Sequence, residues 1–176
     1  IITNWYRTQH YYDSGSWRAT WKGEGGGVLL NQAPHNLGLW QWVCGMPASV
    51  AAYCDVARYH RIEVEDDATL MTRYANGATG LFVTSTGEFP GTNRLEIVCD
   101  GGTIITDGGS ITFIKLDTPE PEFSATNKVA FAGPRGQRIA LETDGQNPQH
   151  VGVVNAFAGA ILRDEPLVAD GREGIN

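Results

Sequence analysis

The chain has 176 residues, of which 41% are apolar and 19% are charged. This balance is ordinary for a folded domain and too apolar for a disordered chain. With 20 acidic and 13 basic residues, the formal net charge is -7. An acidic chain without a lysine and arginine cluster is a poor partner for nucleic acid or for an anionic membrane surface. No apolar run approaches the roughly 20 residues that span a bilayer.

The cysteines indicate the redox compartment, and the two ends indicate whether the chain is part of a longer protein. Cys44, Cys54 and Cys99 are widely spaced and form no CxxC pair, so neither a metal site nor a disulfide framework is indicated. This usage favours a reducing compartment such as the cytoplasm. The sequence opens on Ile1 without a signal-type leader and stops soon after a turn-like Asp170–Gly171 pair. We expect the chain to be a piece of a longer protein.

The first quarter of the sequence predicts a strand, an aromatic segment and a helix. Residues 1–9 predict a strand, and residues 10–24 form a segment rich in Tyr and Trp that ends in three consecutive glycines. A helical pattern then runs from Val28 to about Cys44, where Gly45 and Pro47 give a stop signal. Its predicted apolar stripe is Leu30, Leu37, Trp40 and Val43.

From Ala48 the apolar period changes from helical to the alternation of β-strands. Asn76–Gly77 between two alternating runs is the strongest short hairpin signal. Two Asp-Gly-Gly turns, at 100–102 and 107–109, separate the strands that follow. The predicted strands are 50–56, 69–74, 79–86, 95–99, 103–106 and 110–116.

The last third of the sequence predicts an irregular stretch, a strand and a helix. Pro119, Pro121 and Pro134 mark the irregular stretch, and Arg138–Leu141 predicts one more strand. Asn147–Pro148 has the pattern of an N-cap followed by a proline in the first helical turn. The helix carries an apolar stripe from Val151 to Leu162 and ends at 164–166.

This order of elements predicts an α+β fold: one open, mostly antiparallel β-sheet with helices packed on one face. A parallel doubly wound sheet is disfavoured because tight turns, and not helices, join the central strands. The other sheet face also carries alternating apolar residues. We therefore expect that face to pack on another subunit, which makes the protein a homo-oligomer.

Asn31 and His35 are the candidate catalytic pair. They lie four residues apart at the start of the predicted helix, where both would project from one face. An imidazole that titrates near neutral pH, beside an amide that holds its orientation, is a workable acid/base arrangement. Two alternatives stay open: Asn31 is a plain N-cap, or His35 is a hydrogen-bonded core residue.

Two further segments have both a structural and a functional interpretation. Gly25–Gly27 could cradle a phosphate on backbone N–H groups, but the glycines match neither GxGxxG nor a P-loop. Close backbone packing, or approach to a ligand held by another domain, is the better interpretation. The run Glu65–Asp67 is interpreted as a solvated turn.

The aromatic segment is the candidate substrate contact. Tyr11, Tyr12 and Trp17 could stack on sugar rings, and Arg18 could donate hydrogen bonds. The alternative is an arm that buries these aromatic side chains against a partner subunit. His10, His60 and His150 are scattered, and no metal-ligand spacing is present.

Residues 17–37 (WRATWKGEGGGVLLNQAPHNL), followed by 42–47 (WVCGMP), resemble the C-terminal domain of the glucose–fructose oxidoreductase / inositol dehydrogenase / MocA (Gfo/Idh/MocA) family. Residues 65–70 (EDDATL), 76–78 (NGA), 100–103 (DGGT) and the helix from His150 to Ile161 are also similar to that domain. The resemblance covers nearly all 176 residues, and its most specific part runs from the glycines to His35.

The resemblance implies a substrate-binding and oligomerisation domain, spanning residues 1–176, of an NAD(P)-dependent oxidoreductase that acts on a sugar, cyclitol or glycoside hydroxyl. In this family an N-terminal Rossmann domain, absent from this chain, binds NAD or NADP and carries a catalytic lysine. This chain alone is therefore expected to bind no cofactor tightly and to be inactive. The family pattern of Asp or Asn, then His four residues later, matches Asn31 and His35.

One position departs from the family pattern. The family commonly has Asp three residues after the histidine, and this sequence has Gly38. That departure keeps open a degenerate family member with a scaffold role. A non-catalytic carbohydrate-binding module, which would use the same aromatic segment without His35, is the other alternative.

Overall fold

The computed structural model describes residues 1–142, 150–167 and 169–175, and the chain divides into two compact units, Ile1–Leu141 and Glu142–Asn176. The second unit contains helix α5 (His150–Arg163) and a 3₁₀ turn at Glu173–Ile175. The first unit contains the sheet and the shorter helices. Its elements are β1 (Ile2–Asn4), α1 (Gln9–Asp13), α2 (Val28–Asn31), α3 (Pro34–Cys44), β2 (Ser49–Val56), β3 (Glu65–Arg73), β4 (Thr79–Ser85), β5 (Asn93–Cys99), β6 (Gly102–Asp107), β7 (Ser110–Leu116), α4 (Glu120–Thr126) and β8 (Gly136–Leu141).

The sheet of the first unit has eight strands in the order β2-β3-β4-β1-β5-β6-β7-β8. All neighbours are antiparallel except β1 and β4, which are parallel. The short strand β1 joins two meanders, because Ile2 lies opposite Val83 on β4 and opposite Arg94 on β5. The predicted α+β fold with an open, mostly antiparallel sheet is confirmed.

Local turn chemistry sets the hairpins of both meanders. Between β3 and β4, the Tyr74 N–H donates to the Ala78 carbonyl at 2.9 Å, and Gly77 has φ of 89°. A positive φ is a glycine conformation, so the Asn76–Gly77 signal correctly predicts this turn. Positive φ values at Gly102 and Gly109 mark the next two turns.

The prediction of a single helix from Val28 to Cys44 is wrong, because the chain forms α2 and α3 with a break at Gln32 and Ala33. Pro34 causes the break, since it has no N–H to donate and its ring collides with the carbonyl one turn earlier. The same residue then begins α3, where a proline is well tolerated. Of the predicted stripe, Trp40 is buried and Leu37 half-buried, whereas Leu30 and Val43 are exposed.

Helices α2 and α3 cover one face of the sheet at strands β3 and β4. Trp40 stacks on Phe82 with ring centroids 5.7 Å apart, and Ala33 completes this buried cluster. Leu70 lies opposite Phe82 across the ladder and packs against the same cluster. Complete burial of a side chain such as Phe82 contributes about 1.5–3 kcal/mol, so this contact holds the two helices on the sheet.

The opposite sheet face of the first unit, which we call the open face, carries large exposed apolar side chains. The strand register places Tyr53, Met71, Leu81 and Val98 on this face. Their exposed fractions are 83%, 64%, 49% and 74%. Large apolar side chains exposed on one sheet face indicate a surface that another molecule covers.

The region after β7 contains a helix that the sequence interpretation missed. Residues 119–134, predicted to be irregular, include α4. Its first turn has the expected chemistry, with Pro119 as N-cap, Pro121 in the first turn and acidic residues near the N-terminus. Strand β8 and helix α5 confirm the predictions for 138–141 and 151–162. The predicted cap at Asn147–Pro148 lies outside the described residues.

The start of β3 holds a neighbouring loop through a buried carboxylate. Asp66 is fully buried and accepts hydrogen bonds at 2.9 Å from the backbone N–H groups of Arg58, Tyr59 and His60. The His60 ring lies 3.0 Å from Asp66 through Nδ1 and 3.0 Å from the Arg7 carbonyl through Nε2. These two contacts fix the orientation of the ring between β3 and the segment that follows β1.

The interpretation of Glu65–Asp67 as a solvated turn is therefore wrong. Glu65 is 8% exposed and Asp66 is fully buried. Glu65 accepts backbone N–H groups of the distant glycine segment, and Asp66 accepts those of the preceding loop. Among the described residues, no helix is long and apolar enough to cross a bilayer.

Gly27 gives a direct test of this packing. A Cβ at Gly27 would overlap the carbonyl of Glu65, whereas a Cβ at Gly38 would meet nothing within 4 Å. We expect Gly27→Ala to destabilise the intact protein by about 1–3 kcal/mol or more through overpacking. The matched control Gly38→Ala, in the middle of α3, should be neutral or stabilising by about 0.5–1 kcal/mol. Denaturant unfolding of both variants measures the difference, and equal midpoints would contradict this packing.

Candidate functional site

The glycine-rich segment is fixed to the sheet by the carboxylate of Glu65. The Gly27 N–H lies 3.0 Å from each carboxylate oxygen of Glu65, and the Leu29 N–H donates to one of them at 3.1 Å. The close approach at Gly27 permits this contact. The close-packing interpretation of Gly25–Gly27 is thus confirmed at Gly27, and the position of α2 follows from it.

Asn31 is the last residue of α2 and is half-buried. Its side-chain Nδ2 donates a hydrogen bond to Oε1 of Glu24, the residue directly before the three glycines. The N-cap alternative for Asn31 is wrong, because Ala33 occupies the N-cap position of α3. The amide is therefore oriented by a side chain and not by a helix terminus.

His35 is the second residue of α3, and its side chain is exposed. The core-residue alternative for His35 is therefore wrong. The nearest aromatic ring is that of Trp5, with a centroid separation of 6.4 Å and a tilt of 48°. Trp5 follows β1 directly, so the central strand of the sheet positions this ring beside the imidazole. An exposed imidazole is free to exchange a proton with a bound molecule.

In the aromatic segment, the Arg18 side chain lies between two rings. The Arg18 guanidinium carbon is 4.5 Å from the ring centroid of Tyr11 and 4.5 Å from that of Trp17. Arg18 also donates a hydrogen bond to the Tyr11 hydroxyl at 2.9 Å. Trp17 is 49% exposed. This stack of a cation and two aromatic rings presents one partly exposed indole face to solvent.

Tyr12 has a different environment from its neighbour Tyr11. Tyr12 is 8% exposed, packs with Ala19 and Val64, and donates its hydroxyl to Thr86 at 3.0 Å. Burial raises the pKa of Tyr12, and the hydrogen bond with Thr86 opposes that shift. Tyr12 was expected to contact substrate, but its side chain belongs to the core and its hydroxyl is already engaged. Tyr11, Trp17 and Arg18 remain the candidate substrate contacts of this segment.

A polar cavity of about 320 Å³ lies behind this segment, with Arg18 and Arg61 in its lining. Neither Asn31 nor His35 reaches it, so this cavity is separate from the candidate catalytic pair. In the part of the chain that the structure describes, no three His, Cys, Asp or Glu side chains are arranged to hold a metal ion.

Sequence reasoning did not single out Glu24, Glu65 or Trp5 as part of this region. A carboxylate seven residues before Asn31 has no helical or strand spacing that predicts a contact. Glu65 lies 38 residues from Gly27, and Trp5 lies 30 residues from His35 in sequence. Only Glu24, directly before the glycine run, is close enough in sequence to Asn31 to suggest a contact.

Comparison with known proteins finds one matching family model and several similar solved structures. The family model described as GFO/IDH/MocA C-terminal domain matches residues 1–105. No curated protein sequence matches the chain.

Three solved structures illustrate the structural similarity. The WlbA dehydrogenase from Bordetella pertussis, in complex with NADH and UDP-GlcNAcA, is 25% identical with a TM-score of 0.72, and the match covers 99% of this chain and 47% of that one. WlbA from Chromobacterium violaceum, with the same two ligands, is 25% identical with a TM-score of 0.74 and the same coverage. Levoglucosan dehydrogenase in complex with NADH and levoglucosan is 15% identical with a TM-score of 0.70, over 97% of this chain and 50% of that one, and it supports the fold alone. The chain thus spans about half the length of these structures.

Proposed function

Since the chain belongs to the Gfo/Idh/MocA family, we propose that it is the C-terminal, substrate-binding domain of an NAD(P)-dependent dehydrogenase that acts on a sugar, cyclitol or glycoside hydroxyl. The observation that carries this proposal is the pairing of an exposed imidazole, His35, with the oriented amide of Asn31 at the junction of α2 and α3. The two residues flank the break between the helices, where His35 can exchange a proton and Asn31 can hold a substrate hydroxyl.

In the proposed reaction, both residues act on the substrate hydroxyl. His35 accepts the hydroxyl proton as the carbinol carbon is oxidised, and returns it in the reverse direction. Asn31 binds and orients a hydroxyl, because an amide cannot exchange the proton itself. Glu65 acts indirectly, since it fixes the segment that carries Asn31.

We propose that the described residues do not themselves form a dinucleotide site. They contain no βαβ unit, and the N–H of Gly27 is used by Glu65. We therefore propose that NAD or NADP is bound by another part of a longer protein, as a Rossmann domain would do. The nicotinamide supplies hydride chemistry when bound. This chain's roles concern the hydroxyl and its proton.

The substrate contacts are proposed for Trp17, Arg18 and Tyr11. The half-exposed indole of Trp17 offers a flat apolar face to a sugar ring. The Arg18 guanidinium is held between the two rings and supplies a fixed positive charge. WlbA from Bordetella pertussis is in complex with UDP-GlcNAcA, and its similarity supports a sugar or sugar nucleotide as the substrate class here.

We further propose that a second copy of this chain covers the open face, which makes the protein a homo-oligomer. Tyr53, Met71 and Val98 are each more than 60% exposed on that face. A sheet face that apolar is unfavourable in water, and a two-fold arrangement would bury the same surface on both subunits.

Removal of the His35 imidazole tests the proposed dehydrogenase activity. In the full-length protein, we expect His35→Ala to lower kcat by about 10²–10⁴-fold, because a proton-transferring group acts in the transition state. Asn31→Ala should cost less. The thermal midpoint of His35→Ala should stay close to that of the wild type, because the side chain is exposed and little packing is lost.

Steady-state turnover of sugars with NAD and NADP, read from the reduced nicotinamide, measures these effects. His10→Ala is the matched control, because His10 is also exposed and lies outside the proposed site. Unchanged kcat in His35→Ala, or no turnover by the wild type with any sugar or polyol, would contradict the proposed function.

The open face gives a separate prediction. Met71→Asp places a charge among the exposed apolar side chains of that face, so we expect it to shift the full-length protein toward the monomer in sedimentation experiments. Val129→Asp is the matched control, because Val129 is also 64% exposed but lies outside the sheet. A wild type that is already monomeric, or the same shift in both variants, would argue against a dimer through this face.

A further inference from the structure

We propose that Glu24 sets the direction in which the Asn31 amide points, so that Asn31 presents its oxygen to the substrate and selects a ligand with a free hydroxyl at that position. The inference deepens the proposed function and rests on it, because the proposed function supplies the substrate class. Glu24 is a positioning residue in this account. It acts through Asn31 and does not touch the substrate.

Both carboxylate oxygens of Glu24 are occupied by donors. Oε2 accepts the Ala19 N–H at 2.6 Å, and Oε1 accepts from Nδ2 of Asn31. The backbone of Glu24 is also held, because its N–H donates to the Thr20 carbonyl at 3.0 Å. The carboxylate thus accepts two hydrogen bonds, and it belongs to a half-buried residue whose backbone is also held.

This arrangement decides which end of the amide faces Glu24. An ionised carboxylate has acceptor atoms only, so its partner must be the NH₂ group of Asn31 and not the carbonyl. The opposite end, Oδ1, has no hydrogen-bond donor among the described residues. Asn31 therefore offers an acceptor, and an acceptor is satisfied by a hydroxyl of the substrate.

The same carboxylate connects the two parts of the proposed site. Ala19 follows Arg18 directly, and Ala19 has a left-handed backbone conformation with φ of 51°. By binding the Ala19 N–H and the Asn31 side chain together, Glu24 fixes the aromatic segment relative to the amide. A sugar ring against Trp17 would then present a hydroxyl to Asn31 at a set distance.

The variant Glu24→Gln tests the direction of the amide without removing the hydrogen bonds. The new side chain has one acceptor and one donor. The acceptor can keep the Ala19 N–H, and the donor then requires that the Asn31 amide turn its oxygen inward. The end that faces the substrate becomes a donor. We expect kcat/KM to fall by about 10- to 100-fold through the mismatched hydroxyl, with a thermal midpoint near that of the wild type.

Glu63→Gln is the matched control in the full-length protein. Glu63 holds the same segment through the Trp21 N–H at 3.2 Å and does not touch Asn31. A glutamine oxygen at position 63 can still accept that bond, so kcat/KM should be unchanged. An equal loss of kcat/KM in both variants would overturn the proposal, because it would show a general effect on the segment.

A second substitution should restore activity. In Glu24→Gln/Asn31→Asp, the new amide at position 24 donates to the new carboxylate at position 31, which has only acceptor atoms to present. We expect most of the lost kcat/KM to return. Asn31→Asp alone places two carboxylates in contact, so its kcat/KM should fall as pH rises and they cease to share a proton. The absence of both rescue and pH dependence would overturn the proposal.

A measurement independent of turnover separates this inference from the proposed function. In full-length protein with ¹⁵N-labelled asparagine, the Asn31 side-chain amide protons should shift in Glu24→Gln and not in Glu63→Gln. If the wild type oxidises no sugar but these signals shift, the function fails while the Glu24–Asn31 contact stands. Unshifted signals with unchanged kcat/KM would overturn the inference. A large drop in thermal midpoint for Glu24→Gln without rescue would assign Glu24 a structural role instead.

Discussion

The carboxylate of Glu65 is the contact on which the rest of the site depends. From the first position of β3, Glu65 accepts the N–H groups of Gly27 and Leu29. It can do so only because Gly27 has no side chain to keep the two backbones apart. A buried carboxylate that lost these donors would be costly. The contact therefore fixes where α2 begins, and with it the position of Asn31 at the end of that helix.

A second carboxylate, Glu24, extends this anchor to the groups that would meet a substrate. One of its oxygens holds Ala19, beside the stacked Arg18, and the other holds the Asn31 amide. The aromatic segment is thus not a free arm. Fixed groups lower the cost of ordering a site when a ligand binds, which suits a domain proposed to orient a sugar for a reaction at one hydroxyl.

Features governed by local chemistry could be predicted from sequence, and those governed by distant contacts could not. The Asn76–Gly77 turn was predictable because the residues that need a positive φ are adjacent. Pro34 also carried a local signal, and the rule that proline ends a helix would have corrected the single predicted helix. The central position of β1 depends on pairing with β4 and β5, more than 80 residues away, and no spacing reveals it. The contact of Glu65 with Gly27 was hidden for the same reason.

The fate of the hydrogen on the carbinol carbon is the most direct measurement of the proposed reaction. Full-length protein would be given a sugar that it oxidises, with deuterium on the carbinol carbon, together with NAD or NADP. We expect the deuterium on the reduced nicotinamide, while the hydroxyl proton is released to solvent through His35. Deuterium that stays on the sugar, or that is lost to water without reduced nicotinamide, would contradict a dehydrogenase built around this domain.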